Sequence, residues 1–352
     1  MAVKILHTAD LHIRNFNDDR YSTLTHLIDI AKNENVDLFI ISGDLFDSGT
    51  NAEKLRDKLR QLFNKCSFYT LILPGNHDQK CYREGLYFGD NVIILKDIKP
   101  FIYKDIYLWG MPFDTSNNDV IYKLHLLSKK IDPNSTNILI YHGELVDAFF
   151  KKDDIGDEED RRYMPVRLSY FNNLNINYVL AGHFHTKFDI HRLNNGGYFV
   201  YPGSPISITK KEIGIRKVNL FNVNEPPREY PVDTPYYEEL QIELDPFDEN
   251  SPINIIKERL SKVGKNAKII LKVKGYINSS KIKIREDQLV KEINELPNNI
   301  VEKELEFKDI SRILEHSLFY SFQEKLKQKD YSENYKKELT KLAIKAMMEI
   351  SL

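Results

Sequence analysis

Cysteine is nearly absent from this chain. Two cysteines in 352 residues, Cys66 and Cys81, cannot build a disulfide framework or a metal knuckle, and both read as free thiols of a reducing compartment. An excess of one charge is lacking too. Fifty Lys and Arg against 52 Asp and Glu leave a formal net charge of −2. No global basic field announces a nucleic acid, so a polyanion would have to be met by local Lys/Arg clusters, by metal ions or by a partner. No apolar run approaches ~20 residues, which argues against a membrane-spanning helix. The first residues enter a strand pattern directly, without the basic segment and apolar core of a secretory signal. The expectation is an intracellular, cytoplasmic protein. With 41% hydrophobic and 29% charged residues, the composition is that of a globular chain long enough for one large domain and a smaller one.

What the sequence does contain is a repeated pattern. Residues 39–42 form an apolar run that reads as a buried strand, Gly43 lets the backbone turn sharply, and the carboxylate of Asp44 follows at once. Five further runs end in the same way. Residues 3–9 lead into Asp10-Leu11-His12, residues 68–73 into Pro74-Gly75-Asn76-His77-Asp78, and residues 138–141 into His142-Gly143. Residues 178–181 lead into Gly182-His183-Phe184-His185, and residues 198–201 into Pro202-Gly203-Ser204.

In a layered α/β fold, groups just past the C-terminal ends of strands collect along one edge of the sheet. Asp10, His12, Asp44, Asn76, His142, His183 and His185 can therefore converge although the sequence scatters them. Oxygen and imidazole donors suit borderline divalent ions such as Mn²⁺, Fe²⁺ or Zn²⁺. Seven donors are too many for one tetrahedral ion and about right for two ions sharing a bridging carboxylate. Singly, Asp-x-His and Gly-Asp are ordinary strand-end and turn sequences. Gly-Asn-His-Asp and Gly-His-x-His are more telling, and the full series in order at strand ends argues for a two-metal site.

Residues 1–110 alternate strand and helix, with Leu24, Leu27, Ile28 and Ala31 on one helix face and Leu55, Leu59, Leu62 and Phe63 on the next. Asn51 is the expected N-cap of that second helix. The βαβαβ order predicts parallel pairing with right-handed crossovers. Residues 101–110 alternate in period two, as an antiparallel or edge strand would, and a helix is expected around 117–130. The charged segment 153–162 reads as a solvated loop, with Arg161, Arg162 and Arg167 available to phosphates; Lys210-Lys211 is a similar candidate. Prolines at 226, 227, 231 and 235 mark a linker. A second βαβαβ pattern follows, without a ligand-like cluster, whose Lys268, Lys272 and Lys274 suggest a positive contact face. From residue 310 the chain is helical and free of Pro and Gly, with Leu314, Leu318 and Phe322 on one face and Leu339, Leu342, Ala343, Ala346 and Met347 on another. These helices either pack on their own domain or form a partner-binding hairpin.

Asp10-x-His12, Gly43-Asp44-x-x-Asp47, Gly75-Asn76-His77-Asp78, His142 and Gly182-His183-x-His185 resemble the full calcineurin-like metallophosphoesterase signature. The Thr8-Ala9-Asp10-Leu11-His12 opening, the Gly-Asp-Leu-Phe-Asp form and Tyr201-Pro202-Gly203-Ser204 are similar to the SbcD family of DNA double-strand-break repair nucleases. The resemblance implies an α/β fold: a layered metallophosphoesterase domain of central β-sheets flanked by helices (residues 1–224), a smaller α+β capping domain (225–308), and C-terminal helices that bind an ATPase (309–352). It implies that Asp10, His12 and His185 hold one metal, usually Mn²⁺, and that Asn76, His142 and His183 hold the other, with Asp44 bridging. His77 is implied as the catalytic histidine, oriented by Asp78, with Asp47 bracing the site and Arg14, Gly203 and Ser204 as substrate contacts. Ser48-Gly49 after Asp47 departs from the Gly-Asp-x-x-Asp-Arg pattern of protein phosphatases.

The function expected on these grounds is a two-metal DNA nuclease, exonuclease and endonuclease on duplex ends and single strands. It would act in break repair with an SMC-like coiled-coil ATPase of the SbcC type, as a homodimer and away from membranes. The alternative with the same metals is a phosphodiesterase of small or cyclic nucleotides. A scaffold with a decayed site is disfavoured, because no expected ligand is missing.

Overall fold

The computed structural model describes residues 2–50, 52–113, 119–148, 164–297 and 299–350. Asn51, Arg161 and Arg162 lie outside the described residues. The chain divides into two compact units, residues 1–237 and 238–352.

The first unit opens with β1 (Lys4–Thr8), α1 (Asp19–Asn33), β2 (Leu38–Ser42), α2 (Ala52–Phe63), β3 (Tyr69–Leu73) and β4 (Val92–Ile94). These four strands are parallel, as the βαβαβ pattern predicts. A second sheet follows from β5 (Pro100–Tyr103), β6 (Ile106–Met111), β7 (Thr136–His142), β8 (Tyr178–Gly182), β9 (Asp189–Arg192) and β10 (Tyr198–Tyr201), with α3 (Asp119–Ser128) between β6 and β7. Its order is β5-β6-β7-β8-β10-β9. The chain then returns to the first sheet through β11 (Lys217–Asn222), antiparallel to β1, and β12 (Glu229–Pro231).

Alternation along β2 shows why these strands read as unbroken apolar runs. Leu38 and Ile40 join Leu71, Leu108, Ile138 and Leu180 in the core between the two sheets, while Phe39 and Ile41 face Leu24, Leu27, Leu55 and Leu59 of α1 and α2. A strand covered on both faces needs apolar residues at every position. On the far side, Leu124 and Leu127 of α3 cover Leu139 and Tyr141. The result is helix, sheet, sheet, helix. The period-two stretch at 101–110 is not one strand: the chain turns at Lys104, whose φ is +55°, so β5 is an antiparallel edge and β6 a central strand parallel to β7.

β13 (Tyr236–Leu244) starts in the last two residues of the first unit and continues into the second, which holds α4 (Pro252–Ser261), β14 (Ala267–Ile277), α5 (Ser279–Ile282), α6 (Glu286–Asn294) and β15 (Ile300–Asp309), with strand order β13-β14-β15. The second unit ends in α7 (Ser311–Leu314), α8 (Ser317–Lys327) and α9 (Glu333–Ile350). The expected positive face is neutralised. Lys272 pairs with Glu239 at 3.0 Å and Glu304 at 3.5 Å, and Lys274 with Glu306 at 3.1 Å, because parallel register sets the lysines of β14 beside the glutamates of β15. The helical stripe also shifts. The chain breaks between α7 and α8, so Leu318 is 61% exposed while its neighbour Phe319 packs with Ile310 and Ile344.

Candidate metal centre

The site forms where parallel strands of both sheets end. Asp10, His12, Asp44 and His183 all have positive φ, at +56°, +50°, +49° and +103°. Non-glycine residues held there cost on the order of 1–3 kcal/mol each and persist only where surrounding structure enforces them. Here the turn after β1 is laced to the turn after β2: Asp10 N–H donates to Gly43 O at 3.1 Å, His12 N–H to Asp44 O at 2.9 Å and Ile13 N–H to Leu45 O at 2.9 Å. Glycine is required at two close approaches. A Cβ on Gly43, whose φ is +98°, would lie 1.9 Å from His142 Nδ1, and one on Gly75 would lie 2.2 Å from Asp44 Oδ1.

The donors gather in overlapping sets: Asp10, His12 and His185; Asp10, Asp44 and His142; His12, Asp44 and His77. His12 Nε2 is 3.3 Å from His185 Nε2 and 3.8 Å from Asp44 Oδ2. His142 Nδ1 donates to Ser42 O at 2.9 Å, which directs its Nε2 to Asn76 Oδ1 at 2.8 Å and Asp44 Oδ2 at 3.2 Å. His183 places its ring 5.4 Å from that of His142, and its backbone N–H holds Asp10 Oδ2 at 3.0 Å. Of the seven sequence-derived residues, Asp10, His12, Asp44, His142 and His185 thus stand at ligand spacing, Asn76 meets His142, and His183 lies beside them. Asp10, His12, Asp44, His142, His183 and His185 are buried and Asn76 is half-buried.

Two buried carboxylates in such a cage call for positive charge. Burial raises Asp10 against the pull of the nearby imidazoles. Burial also opposes the charge on Asp44, yet His142 and His12 hold its carboxyl well below the usual range. His142 is held up at about 10, although burial lowers it, by Asp44, Asp10 and the Ser42 carbonyl. Nitrogen and oxygen donors converging at ligand spacing, with Asp44 shared between sets, fit two borderline divalent ions.

His77 is half-buried, and its Nδ1 lies 2.8 Å from Ser48 Oγ and 3.6 Å from Asp47 Oδ1. Asp47 also faces His12 Nδ1 at 3.7 Å and takes Arg14 Nε at 2.5 Å and Arg20 Nη1 at 3.3 Å. The expected orientation of His77 by Asp78 is not what the carboxylate does. Asp78 accepts from Gly75 N–H at 2.8 Å, Phe46 N–H at 3.2 Å and Tyr82 O–H at 2.8 Å, so it shapes the ligand-bearing turns instead. Burial, and then the charge of Asp44, push it up to about 7.

Gly203 and Ser204, the expected substrate contacts, are both buried. Ser204 Oγ has Ile206 O at 2.8 Å and Glu212 Oε2 at 3.0 Å within reach of its one proton, which turns it inward as a brace. Arg14, 64% exposed, remains at the rim. Arg167 pairs with Asp147 at 3.7 Å, and Lys210-Lys211 is exposed.

Sequence reasoning missed Ser48, Arg20, Arg216 and Glu212. Glu212 is buried with Oε1 3.4 Å from His185 Nδ1. Burial pushes its carboxyl up, but His185, the Ile208 amide and Arg216 hold it down at about 2. No spacing rule marks Glu212, because it reaches the site by a turn that folds back 27 residues after its partner.

The sequence profile of the family described as calcineurin-like phosphoesterase matches residues 3–187. The chain is similar to several curated proteins, among them the following two. The DNA double-strand break repair protein Mre11 of Saccharolobus solfataricus is 28% identical over 235 residues, covering 60% of this chain and 56% of that protein. The SbcD component of the nuclease SbcCD of Staphylococcus saprophyticus is 25% identical over 265 residues, covering 62% of this chain and 66% of that protein. The chain therefore spans less than two thirds of the length of these relatives.

Proposed function

The chain belongs to the calcineurin-like phosphoesterase family, and from that premise we propose that it is a two-metal DNA nuclease acting on duplex ends and single strands. The observation that carries the chemistry is that one oxygen of Asp44, Oδ2, lies 3.8 Å from His12 Nε2 and 3.2 Å from His142 Nε2. The substrate class rests on relatives named as a break-repair protein and a nuclease component.

In this reading Asp10, His12 and His185 hold one ion and Asn76, His142 and His183 the other, with Asp44 bridging and Mn²⁺ the preferred metal. Bound ions would supply a water of lowered pKa and neutralise charge on the phosphate. The chain supplies the rest. Gly43 and Gly75 allow the donors to approach, and the Ser42 carbonyl fixes the tautomer of His142. His77, with Nδ1 on Ser48 and Asp47, presents Nε2 as the proton donor to the leaving oxygen. Arg14 meets a phosphate at the rim. Among the described residues no helix is long and apolar enough to cross a membrane.

We extend the proposal to assembly in break repair: a homodimer with an SMC-like ATPase of the SbcC type, the expected cap of residues 225–308 shortened to 238–308 because β12 pairs with β11 in the first unit, and 309–352 binding the ATPase. Exposed Leu318, Tyr320 and Leu342 offer the last segment an apolar surface.

The test is cleavage of end-labelled linear duplex DNA with Mn²⁺, beside an EDTA control and an Asp44→Ala variant. Degradation that requires metal and vanishes in the variant supports the reading. Inert DNA with turnover of a nitrophenyl phosphodiester would replace it with the small-substrate alternative.

A further inference from the structure

The turn at 205–216 touches the metal centre on one side and the segment leaving the first unit on the other. Towards the centre, the carboxylate of Glu212 accepts from Ile208 N–H at 2.7 Å, Ser204 Oγ at 3.0 Å and Thr209 N–H at 3.2 Å, with Oε1 3.4 Å from His185 Nδ1. Arg216, also buried, holds the main chain of the same ligand turn. Its guanidinium donates to the carbonyls of His185, Ser204 (3.0 Å) and Thr186 (3.1 Å). Glu212 and Arg216 are buried charges of opposite sign that act on one another, which offsets part of the cost of burying each.

Away from the centre, the same turn is stitched to residues 232–237. Val232 N–H donates to Arg216 O at 2.9 Å, Thr234 Oγ1 to Pro205 O at 2.5 Å, Ser207 N–H to Pro235 O at 3.2 Å and Gly214 N–H to Tyr237 O at 2.8 Å. Ser207 closes the stitch, since its Oγ donates to Glu212 O at 2.6 Å and accepts from Tyr237 N–H at 3.3 Å. Tyr237 is the last residue of the first unit.

We infer that Glu212 is a positioning residue for His185, and that the 205–216 turn transmits metal occupancy to residues 232–237. A carboxylate at Nδ1 fixes the tautomer in which Nε2 carries the ligating lone pair, and makes that nitrogen more basic. Ligation in turn makes Nδ1–H a better donor and draws it towards Glu212 Oε1, which stands 3.4 Å away. Because Glu212 is also the acceptor that shapes residues 204–209, ordering of the turn and affinity for the ion are linked, and linkage acts in both directions. The inference rests on the metal-centre reading and is independent of the substrate.

Hydrogen exchange of the full chain, titrated with Mn²⁺, tests it in the wild type and in Glu212→Gln. The wild type is expected to gain amide protection at 204–216 and 232–237 as well as at the ligand loops. Glu212→Gln keeps size but removes the charge, so Mn²⁺ affinity by calorimetry should fall about 10–100-fold. At saturating Mn²⁺ the variant's protection should stay at the ligand loops. Unchanged exchange at 232–237 on metal binding, or wild-type affinity in Glu212→Gln, would overturn the inference while leaving the metal centre intact. A wild type that binds no Mn²⁺ would overturn the metal-centre reading itself, and this inference with it. Exchange in the core strands reports folding of the variant. If it does not fold, Glu212→Asp makes the same test, because its shorter arm draws the carboxylate away from His185 without losing the charge.

Discussion

Asp47 Oδ1 stands 3.6 Å from His77 Nδ1, and the same carboxylate meets His12, Arg14 and Arg20. It ties the proposed proton donor to one proposed metal set. His77→Gln should keep the metal stoichiometry of the wild type and lose about 10²–10⁴ in turnover, the usual size of a general-acid contribution. Asp47→Asn should lower kcat in the same direction by loosening the imidazole. Bound metal by elemental analysis and steady-state rates check both, and full activity in His77→Gln would remove it from the mechanism.

Asp78 should behave differently. Its carboxylate satisfies the buried amides of Gly75 and Phe46 and the hydroxyl of Tyr82. Asp78→Ala strands those donors, each at about 1–3 kcal/mol, so the variant should lose stability by several kcal/mol in urea titration. An Asp78→Ala protein as stable as the wild type, but inactive, would point back to a direct role in catalysis.

Gly43→Ala probes the packing of the centre. Its φ of +98° strains any other residue, and the new methyl would occupy the place of the His142 ring. The expected result is a lower Tm and loss of the ion assigned to Asn76, His142 and His183. Wild-type stoichiometry in the variant would show that the ring has room to shift.

His7 gives a pH signature away from the ligands. It is fully buried on β1, and desolvation lowers it to about 3 against a backbone bond at Ala181 that raises it. Above its unfolded value of 6.5 it is neutral in both states and costs nothing. As pH falls from 6.5 towards 3, the unfolded chain takes a proton that the folded chain refuses, so stability declines. At about 1.4 kcal/mol per pKa unit the full effect is a few kcal/mol. Denaturation series between pH 7 and 4 should show a shallower acid slope in His7→Gln than in the wild type; equal slopes would assign the acid loss elsewhere.

The sequence by itself determined the fold class and the family, because each strand-turn-ligand segment is local. An apolar run sets a buried strand, a glycine permits the turn, and the ligand follows within a few residues. Asp10, Asp44, His142 and His183 were legible for that reason; parallel pairing aligned them within each sheet, and packing of the two sheets brought the two pairs to one site. What only the tertiary structure decided were partners chosen across the chain. Glu212 and Arg216 clamp the His185 turn, Asp78 faces Gly75 and Phe46 rather than His77, and Ser204 turns inward. The glutamates beside Lys272 and Lys274, and the break that turns Leu318 outward, belong to the same class. Residue type and spacing set the chemistry a side chain can offer. Which atom receives it depends on register, turn geometry and the exclusion of water, and those are fixed only when distant segments pack.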